Sequence, residues 1–276
     1  MTYFVGRAVA ACKAKAAVTV SLVSVFCLLL SACSTLSRSQ YQADQDPKVA
    51  VVSLLGSKVG IYYQGVTVFG NQYKEVELSP FDPDSLYQQR IETVLERDMG
   101  YQVVHVDYDA DAWLALEDDR DTWSAGRIFA RPVNLYRYRE NLKALADQHN
   151  LDAVFVLVPS STQTGSAVEP EGISMFVTGR NEKVTGAFGG VAARLFLVDG
   201  ETQEEVADTQ LRKKGFINPY RPLENKPFKN LKETPLASLA VRDETEKDRQ
   251  ALAELFSTVV TDEFFQFTLE KILKPY

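Results

Sequence analysis

Beyond residue 33 the chain has no cysteine at all, and only two histidines, His105 and His149, occur in 276 residues. The three cysteines, Cys12, Cys27 and Cys33, crowd the first 33 positions. A body without thiols forms no disulfide, offers no thiolate nucleophile and builds no cysteine metal site. Positive charge is also scarce. Thirty basic residues face 37 acidic ones, for a net charge of -7, and no local basic patch is evident. An acidic body repels phosphate backbones, which argues against a nucleic-acid partner. What is plentiful is apolar: 45% hydrophobic with 24% charged residues is the composition of a packed globular domain rather than a disordered chain.

The amino terminus has the anatomy of an export signal. Arg7, Lys13 and Lys15 supply a positive segment, and Ala16 to Leu30 form an apolar run. That run is shorter than the ~20 apolar residues that span a bilayer. It ends in Leu30-Ser31-Ala32-Cys33, which resembles the lipobox of bacterial lipoproteins. The resemblance implies cleavage before Cys33, lipidation of its thiol and anchorage by acyl chains, each buried methylene contributing about 0.8 kcal/mol. Cleavage removes three cations and no acid, leaving 27 basic against 37 acidic residues, a net charge near -10. In the sorting rule of such lipoproteins, Ser34 after the cysteine implies the periplasmic leaflet of the outer membrane. Residues 33–46 are polar and lack periodicity, so they read as an acylated cysteine and flexible tether. Residues 47–276 read as one periplasmic domain.

Within that domain Lys48 to Leu55 is a valine-rich run suited to a buried strand. Val66–Phe69 and Tyr73–Leu78 around Gly70-Asn71 predict a hairpin. Asp82-Pro83 opens a helix with Tyr87, Ile91, Val94 and Leu95 on one face, and Gly100 stops it. Tyr101 to Val106 reads as a strand, followed by a helix from about Asn134 to His149. Strands are then expected at Ala153–Val158, Ile173–Val177, Val191–Val198 and Glu205–Gln210. A long terminal helix capped near Thr245 carries Leu252, Leu255, Phe256, Val259, Val260 and Phe267. The order predicts an α/β fold, a mixed sheet with two helices plus a long C-terminal helix packed on it. Insertions near 107–132 and 216–249 interrupt the pattern, and loops that long are functional or mobile.

The element order, with the "YQVVHV" strand, the "LDAVFVLV" strand and the "LFLVDGETQEEVADTQL" turn, resembles a fold of several envelope proteins. These are the periplasmic domain of the penicillin-binding-protein activator LpoB, the curli secretion lipoprotein CsgG and the amino-terminal domain of TolB. It is similar also to uncharacterised proteobacterial lipoproteins. The likeness covers about Lys48 to Gln210 and the last helix. No clear pair of amphipathic membrane-spanning strands is present, so a CsgG-like pore is not implied.

No chemical motif is complete. Asp107, Asp109 and Asp111 alternate as in a calcium loop, yet Ala112 and Asp118 stand where such a loop needs glycine and glutamate. A helix cap explains the acids equally well. Gly186-Ala187-Phe188-Gly189-Gly190 lacks the lysine and hydroxyl residue of a phosphate loop and reads as a turn or a close backbone approach. Ser160-Ser161 follow a strand without a G-x-S-x-G elbow, and His149 sits at a helix end where a cation suits the dipole. Trp113, Trp123 and Phe129 in the first insertion are candidate partner-binding residues, or a cover for the core. Phe264, Phe265 and Phe267 fit the core better. The expectation is therefore an outer-membrane lipoprotein lipidated at Cys33, with no cofactor, no metal and no enzymatic activity. It would bind another envelope protein or cell-wall component. The alternative is a lipid-anchored hydrolase or small-ligand binder with a pocket near Ser160 or the glycine turn.

Overall fold

The computed structural model describes residues 38–116, 135–162, 169–180, 183–215, 223 and 225–274. The leader, Cys33, Trp123 and Phe129 lie outside these residues. A compact unit runs from Arg38 to Tyr276, and its described part is a mixed α/β sheet with helices packed on it. The order is β1 (Lys48–Ser53), β2 (Lys58–Gln64), β3 (Gln72–Glu77), α1 (Pro83–Met99), β4 (Gln102–Val103), α2 (Ala110–Leu114) and α3 (Arg139–His149). Then come β5 (Ala153–Pro159), β6 (Gly172–Arg180), β7 (Lys183–Asp199), β8 (Glu205–Gln210), β9 (Phe228–Asn230), α4 (Glu246–Val259) and α5 (Asp262–Leu273).

The 17-residue β7 organises the sheet. Its first half pairs antiparallel with β6 and β9, its second half with β5 and β8. Pro159 lies opposite Ala193 and Gly172 opposite Ala192, so β6 takes up the register where β5 leaves it. β1 lies parallel between β5 and β4, while β2 lies between parallel β6 and antiparallel β3.

Side chains alternate between two cores, as the period of two in a strand requires. Val49, Val51, Phe155, Leu157, Leu195 and Leu197 enter the larger one with α1, α4 and α5. Their neighbours Ala50, Val52, Val154, Val156, Phe196 and Val198 enter a smaller one under α2 and α3. Covering on both faces is why β1 and β5 read as continuous apolar runs rather than alternating ones. α1 starts and stops as its sequence dictates. The Asp82 carboxylate accepts from Ser85 N–H, Pro83 takes the first turn, and Gly100 adopts the left-handed conformation. The buried Tyr87 hydroxyl donates to the Phe256 carbonyl at 2.6 Å, tying α1 to α4.

Several expectations are corrected. The terminal helix is two helices, because Val260 is extended and Thr261-Asp262-Glu263 begins a new first turn with acids at its positive end. The Arg90 guanidinium donates to the Ser257 and Val260 carbonyls and so satisfies the end of α4. Thr245 does cap α4, reciprocally with Asp248, in a capping box. The first hairpin strand is Lys58–Gln64 rather than 66–69, and the ladder in "YQVVHV" covers only Gln102–Val103.

The glycine segment is not a turn but the first half of β7. A Cβ on Gly190 would come within 2.1 Å of the Pro227 carbonyl, and one on Gly189 within 2.6 Å of Leu231, so close neighbours require these glycines. The 216–249 insertion is partly structured. Besides β9 it contains a 3-10 turn, Pro235–Val241, that buries Leu236, Ala237, Leu239 and Ala240. Part of the stretch 33–46, expected to be a flexible tether, is folded. Arg38–Tyr41 and Ala43–Gln45 are 3-10 turns, and Tyr41 is buried with its hydroxyl on the Asp199 carboxylate.

Candidate functional site

The site begins with a break in backbone pairing. β1 stops at Ser53 and β2 starts at Lys58, on the side of the sheet where β4 and β3 also stop. Between them the backbone N–H groups of Leu55 and Gly56 have no neighbouring strand. The carboxylate of Asp84, in the first turn of α1, takes that place. It accepts from Leu55 N–H at 2.7 Å, Gly56 N–H at 2.9 Å and the Ser53 hydroxyl at 2.6 Å. Opposite it the Tyr108 hydroxyl accepts from Ser53 N–H at 2.6 Å and donates to the Ser53 carbonyl at 2.8 Å. Two side chains thus replace a strand partner, as buried amides demand.

Outside this break lies a cleft of about 820 Å³, within the size range of ligand pockets. Its walls are the end of β3, the first turns of α1 and the segment from His105 to Asp111. Six carboxyl side chains line it: Glu77, Asp82, Asp84, Asp107, Asp109 and Asp111. One imidazole, His105, joins them. Its Nδ1 lies 3.0 Å from Glu92, whose other contact is the Gln88 amide at 3.0 Å. That amide in turn donates to the Val106 carbonyl.

Titration follows from these contacts. Burial pushes the Asp84 carboxyl up to about 6, against the opposing pull of its three hydrogen bonds. The hydrogen bond to Glu92 raises the His105 imidazole, helped by the Glu92 and Asp107 charges. An acid raised in the native state binds its proton more tightly there, so stability falls as pH rises from about 4 to about 6. A raised histidine contributes fully below its unfolded value of about 6.5 and loses that contribution as pH rises through the raised one. Unfolding free energy measured against pH is therefore expected to decline from mild acid toward alkaline pH. Asp84→Asn should flatten the lower window and His105→Gln the upper. Unchanged slopes in both variants would contradict these assignments.

The structure separates the residues that the sequence brought forward. Trp113 is buried, in the smaller core between Tyr138 and Tyr108, with ring centroids 6.2 and 5.5 Å away. As a candidate contact for a partner it is corrected to a packing residue. Among the described residues the exposed large aromatics are Phe69, Tyr73 and Tyr136. Asp109 caps α2 by accepting from Ala112 N–H, the cap reading rather than the calcium loop. Among the described residues no group of three or more His, Cys, Asp or Glu side chains is poised for a metal. Ser160 is buried at the end of β5, whereas His149 ends the helix preceding that strand and His105 faces Glu92 and Asp107.

Asp84 and the Glu92–His105 pair were not singled out by sequence reasoning. The available signal was Asp82-Pro83-Asp84, read only as a helix start. A second feature is a row of aromatics in register across four strands: Tyr73, Tyr62, Phe176 and Phe188. The rings of Tyr62 and Tyr73 lean over Gly60, where an added Cβ would meet them at 3.0 and 3.2 Å.

No family model matches the chain, and no curated protein matches it. Among solved structures it is similar to the lipoprotein GNA1162 from Neisseria meningitidis. Sequence identity is 10%, coverage is 75% of this chain and 93% of that one, and the TM-score is 0.26. Among the described residues no helix is long and apolar enough to cross a membrane.

Proposed function

We propose that the chain is a lipoprotein of the bacterial envelope, acylated on Cys33 and lodged at the periplasmic leaflet of the outer membrane. Its α/β body is a non-enzymatic binding module, and the acid-lined cleft is where it grips a basic segment of an envelope partner. The export signal and lipobox, with Ser34 after the cysteine, support the address. The resemblance of the sequence's element order to that of LpoB and TolB supports a module that works by contact.

The observation that carries the binding reading is the cleft itself. It gathers six carboxyl side chains around about 820 Å³ at the ends of β1 and β4. Such a pocket focuses negative potential, attracts lysine- or arginine-bearing ligands and repels acidic ones. A photoreactive residue in place of exposed Asp111 should crosslink one specific protein in intact envelopes. Asp107→Lys together with Glu77→Lys should reduce that product about tenfold, the equivalent of ~1.4 kcal/mol. Absence of a product, or a product indifferent to charge reversal, would count against the cleft as the binding site.

A further inference from the structure

The short basic run Arg212-Lys213-Lys214 is the only local cluster in its stretch of sequence, and the fold sets further cations beside it. α5 packs beside the segment that leaves β8, where Arg212 N–H donates to the Thr268 hydroxyl at 3.3 Å. This brings Arg212 and Lys213 alongside α5, which carries Lys271, with Lys274 just past its end. The Arg212 guanidinium and the Lys271 ammonium lie 5.8 and 5.6 Å from the Phe267 ring, and Lys213 lies 5.9 Å from that of Phe264. Arg38 joins at the lower end, donating to the Lys274 carbonyl at 3.4 Å. The acids on α5 do not cancel this. Asp262 is paired with Arg97, Glu270 and Lys274 neutralise each other, and Glu263 stands against Arg212, Lys213 and Lys271. A net positive face on a body of net charge near -10 is the reverse of what composition alone would place there.

Its position gives it meaning. The compact unit begins at Arg38, on this face. The five residue steps from Cys33 to Arg38 span at most about 18 Å fully extended. We infer that the face formed by α5 and Arg212–Lys214 docks on the anionic phospholipid headgroups of the leaflet that carries the acyl chains. This rests on the lipoprotein reading for its biological setting. Lysine and arginine near an anionic surface each contribute about fivefold in affinity, screened within a Debye length. The half-buried Phe267 under two cations supplies the aromatic element suited to a headgroup boundary. Docking here turns the domain so that one face is fixed against the lipid, a constraint the short tether alone does not impose.

The test uses a chain beginning at Ser34, which has no acyl group, so its outcome does not depend on lipidation. It should cosediment with phosphatidylcholine vesicles containing phosphatidylglycerol and not with phosphatidylcholine alone, and salt should release it. Lys213→Glu with Lys271→Glu should lower partitioning at least about 25-fold, while Lys143→Glu on α3 should leave it unchanged. Equal partitioning to both vesicle types, or an equal loss in the α3 variant, would overturn the inference. The lipoprotein reading is checked separately by the mass of the mature amino terminus, and either can fail alone.

Discussion

Trp113→Ala is expected to lower the unfolding free energy by about 3–4 kcal/mol, measured by urea denaturation with an unchanged slope. The indole is 7% exposed, and it fills the smaller core between Tyr138 and Tyr108. Truncation leaves a cavity that a five-residue helix, Ala110–Leu114, is poorly placed to close. The effect reaches the cleft as well. Tyr108 loses a packing neighbour, and its hydroxyl pairs both backbone groups of Ser53. Trp113→Phe keeps most of the buried area and should cost less than half as much. If Trp113→Ala unfolds at the wild-type urea concentration, the smaller core does not depend on this ring. A loss of partner binding in Trp113→Ala would follow from instability and would not map a contact.

Cys33→Ser is expected to have the largest effect on location. Produced behind a leader that is cut independently of the cysteine, the unmodified chain should leave the membrane pellet almost completely and lose the acyl mass. Two or three acyl chains of about 0.8 kcal/mol per methylene hold a protein to lipid stably, whereas a basic face alone binds reversibly and is released by salt. Fractionation at low and high ionic strength separates the two contributions. A Cys33→Ser chain that still pellets at high salt would contradict anchorage through the cysteine.

Much of the architecture was legible because it obeys local rules. Asp82-Pro83 and Gly100 bracket α1 as capping chemistry predicts, and Thr245 starts α4. β5 begins three residues after Asn150, the left-handed residue that ends α3. The misread stretches are those where distant neighbours overrule the local signal. Gly189 and Gly190 punctuate a turn in isolation, but in the fold they admit Leu231 and Pro227 against β7. Tyr41 sits in a polar stretch that reads as tether, and only distant neighbours explain its burial: the larger core around it, the Tyr101 hydroxyl on its carbonyl and Asp199, 158 residues away, on its hydroxyl. Val260 continues the apolar spacing of α4, and the acids after it were the overlooked start signal.

The candidate site was the least legible part. Asp84 meets amides about 29 residues upstream, and His105 meets a glutamate 13 residues before it. No spacing rule announces either pair. The basic face was hidden for the same reason, since Arg212 and Lys271 are far apart until β8 and α5 meet.

The parallel pairing of Val49 with Ala153 has a kinetic consequence. On its other edge the first strand has only the two-residue ladder of β4, so its full-length partner arrives more than 100 residues later, and β7, which completes that partner, comes later still. Contacts of such long sequence separation close slowly, because loop entropy is lost before pairing returns anything. Refolding from denaturant should therefore be gradual rather than sub-millisecond. During synthesis the leading half would stay unstructured, which is the condition a polypeptide must keep to be threaded lengthwise through a narrow translocation channel.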